Sequence, residues 1–386
     1  MGISRRNFTI GLGALGLAAC QGRGNVTSFS SRSEGALPAD LMPQPNANYD
    51  AWVASFKARA VEQGILPATL RQGFAGAGYL PGVVKRDRNQ TEFSRTLEDY
   101  LAIAASDERV SKGRAAFARH RAVLRQIEGR YGVPAEVVTA VWGLESFYGE
   151  RRGNVPVVSA TSTLAYDRRR GSFFEKQLIA ALKILERGDV SARGLTGSWA
   201  GAMGHTQFIP TSYQAFAVDF NGDGRRDIWS DDPTDSLAST AAYLAKSGWK
   251  SGQKWGGEMG TAAASSATPL KILQPDAGGP RFAVFSNFNA IKRYNNSDNY
   301  AIGVGHLSDR IAGGGPIRAS FGPDKYGLTI EDRKALQEKL TARGFDTGGT
   351  DGVIGPNSRK AIAAYQQSVG LPATGDPSPS LLQRLQ

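Results

Sequence analysis

One carboxylate is notable because its neighbours in the chain are almost all apolar or aromatic. Glu145 lies in the segment Val137–Gly149, where nearly every position from 137 to 148 is apolar or aromatic except Glu145 and Ser146. A carboxyl group on an apolar helix must find a partner, meet a cavity or take up a proton, and desolvation raises its pKa. A raised pKa is what a general acid requires near neutral pH. The alternative is a glutamate at a helix end that reaches solvent or caps a neighbour.

A second group of polar residues lies in the glycine-rich segment Gly197–Tyr213. Four glycines fall between positions 194 and 204, and glycine lets the backbone approach a ligand closely. Ser198, Gln207 and Tyr213 add hydroxyl and amide groups, and uncharged polar groups beside aromatic rings suit a sugar. The alternative is a structural turn between helices.

The stretch from Asp219 to Ser230 matches the first half of an EF-hand loop. Oxygen donors fall at positions one, three and five, glycine stands at six, and a backbone carbonyl is available at seven. Position twelve is serine where a bidentate glutamate belongs, so Asp235, Asp231 or Asp232 would have to complete the ligands of a cation. An Asx-rich turn without metal is the alternative to a Ca2+ or Na+ site. The candidate ligands are Asp219, Asn221, Asp223, Arg225 and Asp235.

A fourth polar segment, Ile291–Tyr300, contains two tyrosines together with asparagine and serine residues. Tyrosine and asparagine together indicate stacking on, and hydrogen bonding to, a neutral polar ligand. Ordinary surface polarity is the alternative for this segment.

The composition narrows the chemistry that the chain can perform. A length of 386 residues predicts two or three domains, and 41% hydrophobic residues are typical of a folded protein. The net charge of +11 favours anionic partners, but no run of five or more basic residues occurs, so we do not predict nucleic-acid binding. One cysteine and three histidines exclude a disulfide framework and argue against a zinc site.

The first twenty residues have the pattern of an export signal. Two arginines precede a twelve-residue apolar run, which is too short to span a bilayer. Ser4–Phe8 resembles the twin-arginine motif, and Leu17–Cys20 resembles a bacterial lipobox, in which Cys20 is acylated and becomes the N-terminus. The residue after this cysteine is Gln21, which resembles the pattern of lipoproteins sorted to the outer membrane. We therefore expect a periplasmic, lipid-anchored protein. The alternative is a plain signal that is cleaved nearby.

Amphipathic patterns predict a mainly α-helical fold with a small β element. Residues 1–19 form the predicted signal, 20–46 a flexible tether, 47–311 a large domain, 312–324 a linker, and 325–386 a small three-helix domain. Helices in the large domain are expected from Tyr49 and at 94–104, 109–130, 135–147, 173–187 and 234–247, with strand at 281–288.

Together these segments resemble the membrane-bound lytic murein transglycosylase B family, whose lysozyme-like enzymes cleave peptidoglycan. The resemblance covers about 48–310 and rests on motifs in order: Tyr131–Pro134, Gly143–Gly149, Gly197–Pro210, Asp219–Gly224 and Arg293–Ser297. The tail resembles the peptidoglycan-binding type 1 domain, through Leu336–Gln337, Asp351–Pro356 and Ala361–Gln367.

The resemblance implies that Glu145 is the single catalytic acid and base. It also implies contacts with substrate for Ser198, Gln207, Tyr243, Tyr294, Asn295, Tyr300 and Tyr100. The loop at Asp219 corresponds to a cation site seen in some relatives, but no cofactor is required. The implied partner is peptidoglycan, with a membrane reached through the lipid.

The implied reaction breaks the bond between N-acetylmuramic acid and N-acetylglucosamine and closes a 1,6-anhydro ring. Glu145 would first donate a proton to the glycosidic oxygen and then accept one from the muramoyl 6-hydroxyl. The alternatives are a muramidase that hydrolyses the same bond and a wall-binding lipoprotein without activity.

Overall fold

The computed structural model describes residues 37–89 and 95–386 of the chain. The predicted signal segment, Cys20 and residues 20–36 of the predicted tether lie outside the described residues. Among the residues that are described, no helix combines the length and the apolar character needed to cross a membrane.

Helices make up most of the regular structure in this part of the chain, which confirms the mainly α-helical class. The helices are α1 Ala47–Glu62, α2 Pro67–Gly73, α3 Pro81–Arg88, α4 Leu97–Ala104, α5 Asp107–Arg119, α6 Arg121–Tyr131, α7 Ala135–Ser146, α8 Val157–Tyr166, α9 Gly171–Arg187, α10 Pro210–Phe216, α11 Thr234–Lys246, α12 Ser286–Tyr294, α13 Asp298–Ile311, α14 Ile330–Ala342, α15 Pro356–Ser368 and α16 Pro379–Arg384. The strands are β1 Val155–Pro156, β2 Thr196–Gly197, β3 Gly256–Glu258, β4 Lys271–Leu273 and β5 Phe282–Val284.

Contacts divide the described chain into two compact units. The first unit comprises residues 37–89 and 111–252, and the second comprises 95–110 and 253–386. In the first unit α9 packs along α8, while α10 and α2 lie against α9. Helix α7 packs against both α6 and α11, which explains its apolar sequence.

Two short strands of the first unit bring distant segments of the chain together. Strands β1 and β2 pair antiparallel, with Val155 opposite Gly197. This pairing sets the segment that follows α7 beside the start of residues 197–209, which we call the glycine-rich loop.

The second unit contains a three-stranded antiparallel sheet in the order β3–β5–β4. All three residues of the central strand β5 are buried. Helix α13 packs against α4 and α12, and these helices carry the four candidate substrate residues of this unit.

The last part of the second unit, residues 325–386, has a core of its own and is called the C-terminal module. Helix α14 begins with a capping box, in which Thr329 and Asp332 satisfy each other's backbone N–H groups. The three helices enclose a cluster of buried side chains: Leu328, Leu336, Leu340, Ile362, Tyr365, Leu381 and Leu385.

A buried ion cluster connects the C-terminal module with α4. Arg333 on α14 is 3% exposed, and its guanidinium lies 2.5 Å from Glu98, 3.1 Å from Asp99 and 2.9 Å from Asp324. Burial raises the pKa of Glu98 and of Asp99, although the charge of Arg333 acts in the opposite direction. The cluster places three carboxylates around one cation.

The predicted linker, 312–324, contains neither helix nor strand, but the chain is held there. The carboxylate of Glu258 on β3 accepts the N–H groups of Arg318, at 3.0 and 3.1 Å, and Ala319, at 2.7 Å. Asp324 accepts the N–H groups of Tyr326 and Leu328 at 2.8 and 3.0 Å. This segment is therefore tied to neighbouring structure rather than free.

Two predicted elements differ in detail from the structure. The predicted helix at 109–130 is two helices, α5 and α6, that meet at His120, whose ψ of 16° is not helical. The apolar stretch at 281–288 is strand only as far as Val284, and helix α12 starts at Ser286. A short apolar run does not distinguish the two by periodicity alone.

Candidate active site

The candidate catalytic carboxylate, Glu145, lies in the last turn of α7. Every residue from Val137 to Leu144 is buried, and so are Ser146 and Phe147. Glu145 itself is half-buried. From Val137 to its end, the helix thus carries one partly exposed carboxylate in an otherwise packed and largely apolar stretch.

Three consecutive residues with left-handed backbone follow α7. Phe147, Tyr148 and Gly149 have φ angles of 54°, 60° and 89°, and a bulky residue at positive φ costs on the order of 1–3 kcal/mol. The turn folds back over the helix, and a Cβ on Gly143 would lie 2.6 Å from the Tyr148 ring. Surrounding contacts must maintain such a backbone, which is typical of functional sites.

One serine joins this left-handed turn, residues 147–149, to the glycine-rich loop. Ser146 Oγ accepts the N–H of Gly149 at 2.9 Å and donates to the backbone carbonyl of His205. Since Ser146 directly follows Glu145, these bonds fix the end of the helix that carries the carboxylate.

Two cations cover the ring of Phe147. Lys112 Nζ lies 4.3 Å and the Arg151 guanidinium carbon 4.7 Å from the ring centre. Lys112 also forms an ion pair of 3.0 Å with Glu150. Glu150, the carboxylate nearest to Glu145 in sequence, is therefore a partly exposed, paired surface group.

Ser198 and Gln207 both take part in the architecture of the glycine-rich loop. Ser198 Oγ accepts the N–H groups of Ala200 and Ala202, at 3.4 and 3.1 Å. Gln207 is 4% exposed with a φ of 54°, and its Nε2 donates to the carbonyls of Arg152 and Gly204, at 2.9 Å each. These bonds order the loop next to the segment that follows α7.

The two candidate tyrosines of the first unit are largely core residues. Tyr243 on α11 is 4% exposed, and its ring lies 4.5 Å from that of Phe216 and 6.0 Å from that of Phe208. Tyr213 is fully buried and donates its hydroxyl to the carbonyl of Arg226. That bond and the burial make Tyr213 a structural residue.

The second unit contains the other four candidate substrate residues. Tyr294 and Tyr300 stack, with ring centres 6.5 Å apart and planes 8° from parallel, and both are buried. Tyr100 on α4 is half-buried and packs against Gly303 of α13, and Asn295 follows the end of α12. The structure therefore groups these residues on three adjacent helices or their ends.

The Asp219 loop is ordered by its own side chains. The Asp219 carboxylate accepts the N–H groups of Gly222 and Gly224 at 2.7 and 2.9 Å. Asn221 and Asp223 each accept the N–H group two residues further on. Carboxylate and amide oxygens retain lone pairs in this arrangement, so their chemistry fits a hard cation as well as an Asx-rich turn.

Asp235, the predicted closing ligand, is 2% exposed and holds the two ends of this loop together. Its oxygens accept the N–H groups of Phe220, Asn221 and Asp227, at 2.8, 3.4 and 2.9 Å. Burial raises the pKa of Asp235, while these hydrogen bonds act against the rise. In residues 37–89 and 95–386, no three or more His, Cys, Asp or Glu side chains group as they would around a metal.

Three residues to which the sequence assigned no role meet beside the end of α7. Trp142 Nε1 donates to His205 Nδ1 at 3.1 Å, and Arg152 Nη1 lies 3.2 Å from His205 Nε2. Burial lowers the pKa of His205 to about 4, so its ring is neutral at pH 7. Trp142 and His205 are 63 positions apart, and no spacing rule connects them.

A mainly helical unit with a single carboxylate at the end of a buried helix, next to a polar glycine-rich loop, defines a lysozyme-like protein. The chain belongs to the transglycosylase SLT family: the family model described as Transglycosylase SLT domain matches residues 48–271 and 258–309. A second family model, for a peptidoglycan binding domain, matches residues 329–385, which lie within the C-terminal module.

Several known proteins are similar to this chain. SltB3 from Pseudomonas aeruginosa, solved in complex with NAG-NAM-pentapeptide, is 43% identical, covers 88% of this chain and 100% of its own, and has a TM-score of 0.67. Slt35 from Escherichia coli, solved in complex with calcium, is 26% identical over 70% of this chain and 95% of its own, with a TM-score of 0.59.

A curated relative is the membrane-bound lytic murein transglycosylase B of Escherichia coli K12. It is 32% identical over 211 residues, which are 47% of this chain. The matched stretch spans 58% of the length of that relative.

Proposed function

We propose that this protein is a lytic transglycosylase that cleaves peptidoglycan between N-acetylmuramic acid and N-acetylglucosamine. The observation that carries the proposal is the position of Glu145, half-buried at the end of an otherwise buried helix and next to a polar loop. Membership of the transglycosylase SLT family and the peptidoglycan binding domain at residues 329–385 support it.

The first half of the reaction is the departure of the leaving sugar. Protonated Glu145 donates its proton to the glycosidic oxygen, the bond from this oxygen to C1 of the muramoyl residue breaks, and an oxocarbenium-like state forms. The substrate's own N-acetyl group stabilises that state, which removes the need for a second carboxylate. Glu150 has a different role, since it is paired with Lys112.

The second half of the reaction closes the anhydro ring. The carboxylate of Glu145 accepts the proton of the muramoyl 6-hydroxyl, whose oxygen bonds to C1. Glu145 ends protonated, as it began, and no water is consumed. The reaction is therefore a lyase reaction and not a hydrolysis.

Ser198 and Gln207 are proposed to contact the substrate because each has a polar atom that can form a hydrogen bond with a sugar. Ser198 Oγ accepts two N–H groups and keeps its own proton to donate. Gln207 uses Nε2 inside the loop, which leaves its Oε1 to accept from a sugar hydroxyl. Tyr243 and, in the other unit, Tyr100, Tyr294, Asn295 and Tyr300 are proposed as further glycan contacts.

Mass spectrometry of the fragments released from purified sacculi tests the proposal. The full-length protein in detergent should release products with 1,6-anhydromuramic ends, which are about 18 Da lighter than hydrolysed ends because water is not added. Glu145→Gln should abolish the release, whereas Glu150→Gln, the matched control on the adjacent turn, should retain it.

Other outcomes distinguish the competing functions. Reducing muramic ends would identify a muramidase and overturn the proposed ring closure. Binding of sacculi without any release would identify a wall-binding protein, and loss of release in Glu150→Gln would require a second carboxylate.

We also propose that the protein is attached to the outer membrane through a lipid on Cys20. The lipobox-like sequence before Cys20 supports this, as does similarity to a relative named as membrane-bound. Labelling of cells with an alkyne fatty acid should mark the wild type but not Cys20→Ala. Equal labelling of both proteins would contradict the anchor.

The Asp219 loop is proposed as a Ca2+ or Na+ site with a structural role. The oxygens of Asp219, Asn221 and Asp223, the Arg225 carbonyl and Asp235 are the proposed ligands, and such a cation would stiffen the loop. Calcium at millimolar concentration should raise the Tm of the wild type more than that of Asp223→Asn. Equal shifts would leave an Asx-rich turn as the correct description.

A further inference from the structure

The side chain and the backbone of His205 both contact the last turn of α7, on either side of Glu145. Its Nδ1 accepts the indole N–H of Trp142, three residues before Glu145, at 3.1 Å. Its backbone carbonyl accepts the hydroxyl of Ser146, the residue after Glu145. A Cβ added to Gly149 would lie 2.6 Å from His205 Nδ1, so the ring also lies against the left-handed turn.

The hydrogen bonds of the ring define one tautomer. An indole N–H can only donate, so Nδ1 must be without a proton. A neutral ring without a proton on Nδ1 carries it on Nε2, which then donates to the backbone carbonyl of Ser230 at 2.7 Å. Arg152 Nη1, 3.2 Å from Nε2, donates instead to the carbonyls of Trp229 and Ser230. The neutral ring thus connects α7 on one edge to residue 230 on the other.

The segment around Ser230, which the His205 ring connects to α7, is held in place by further bonds. Arg152 donates to the carbonyls of Trp229 and Ser230 at 2.8 and 2.7 Å and pairs with Asp231 at 2.8 Å. The His205 backbone N–H donates to the carbonyl of Ile228 at 3.2 Å. His205 therefore ties the helix end to a segment that other bonds already hold.

We propose that neutral His205 is a positioning residue that sets the direction of Glu145 by holding Trp142 and Ser146. The inference rests on the proposed function, because it assigns to His205 an effect on the transfer of protons by Glu145. Holding a reacting group in place matters greatly for rate, since a misplacement of about 1 Å can cost roughly 100-fold.

Burial of the ring is the main obstacle to its protonation. Burial and the charge of Arg152 lower the pKa of His205, and His120 acts in the same direction, whereas Asp231 and the Ser230 carbonyl act against them. An imidazolium could not accept the Trp142 N–H, so a proton on Nδ1 would break the bond to α7.

Two substitutions of His205 separate positioning from packing. In His205→Gln the amide keeps one acceptor for Trp142 and one donor for Ser230, whereas His205→Leu keeps neither. With soluble glycan strands and the full-length protein, we expect kcat of His205→Leu to fall about 100-fold with KM nearly unchanged. We expect His205→Gln to recover kcat to within about 10-fold of the wild type.

Trp142→Phe provides the test that does not depend on the folding of a His205 variant. It removes the N–H that Nδ1 accepts, together with part of the indole ring, and leaves His205 in place, so kcat should fall, and combining it with His205→Leu should cost little more than the larger single effect. A folded His205→Leu with kcat within threefold of wild type would overturn the inference. So would His205→Gln as slow as His205→Leu, or an unaffected Trp142→Phe.

The result also separates this inference from the proposed function. If the wild type forms no anhydro product, then the proposed function itself fails. If the wild type forms it and the three variants form it equally fast, only the positioning role of His205 fails.

Discussion

Replacement of Arg333 by leucine should destabilise the chain strongly through the carboxylates that it leaves behind. The guanidinium is surrounded by Glu98, Asp99 and Asp324, with N···O distances of 2.5, 3.1 and 2.9 Å. Leucine restores part of the volume but none of the charge. The three carboxylates would then repel each other at a site from which water is largely excluded.

The size of the effect follows from how deeply the cluster is buried. Removing one partner of a buried ion pair costs about 3–5 kcal/mol, because an uncompensated charge remains. The side chains of Glu98 and Asp324 are 11% and 10% exposed, but that of Asp99 is 22% exposed and retains some hydration. We therefore expect a loss near the lower end, about 3 kcal/mol.

Urea unfolding of the full-length protein measures this loss, with Lys334→Leu as the matched control. Lys334 is adjacent on α14, and its ion pair with Glu331 is largely exposed, so its removal should change the free energy of unfolding by less than about 1 kcal/mol. Proteolysis within 312–324 gives a second readout, since Asp324 would lose its partner and the segment should be cut faster.

The loss of stability caused by Arg333→Leu should change with pH in a direction that can be measured. Burial raises the pKa of Glu98 and Asp99, so these groups cost stability at high pH and regain it as they take up protons. The loss caused by Arg333→Leu should therefore be smaller at pH 5 than at pH 7. A loss below 1 kcal/mol at pH 7, or one that grows towards pH 5, would refute the reasoning.

Two further predictions concern the glycine-rich loop. A Cβ on Gly204 would lie 2.2 Å from the Ile228 carbonyl oxygen, whereas one on Gly188, which also has a positive φ, would meet no atom within 4 Å. Gly204→Ala should therefore lower the free energy of unfolding by about 1–3 kcal/mol more than the control Gly188→Ala. Equal losses of the two variants in urea unfolding would contradict this. The pKa of His205 is lowered from 6.5 to about 4, so stability should fall by up to about 3 kcal/mol as pH drops through this window, and His205→Gln should remove that fall. Parallel stability curves for the two proteins would show that His205 does not titrate in this way.

Local sequence was sufficient to predict the elements that depend on local patterns. The run of apolar residues around Glu145 predicted a buried helix, because a helix that is buried on all faces needs apolar residues at nearly every position. The C-terminal module was predicted as three helices for a similar reason, since glycine, proline and capping residues mark the ends of its helices. At His120 no such breaker is present, and the division between α5 and α6 was therefore missed.

The roles of several polar residues depended instead on distant partners. The sequence indicated Gln207 as a sugar contact, but only the fold showed that its Nε2 holds the carbonyls of Arg152 and Gly204. Composition predicted a linker at 312–324, whereas the position of Glu258 decided that the chain is held there. Such assignments require three-dimensional proximity, which residue types alone do not encode.

The sequence by itself determined the helical class, the modular order and the single candidate carboxylate, because apolar periodicity and turn chemistry are local properties of the chain. Tertiary structure alone decided which neighbours hold that carboxylate and which charges are buried. His205 meets Trp142 across 63 positions, and Arg333 meets Glu98 across 235. Hydrogen bonds form only when donor and acceptor are about 3 Å apart, so only folding brings these groups close enough to make them.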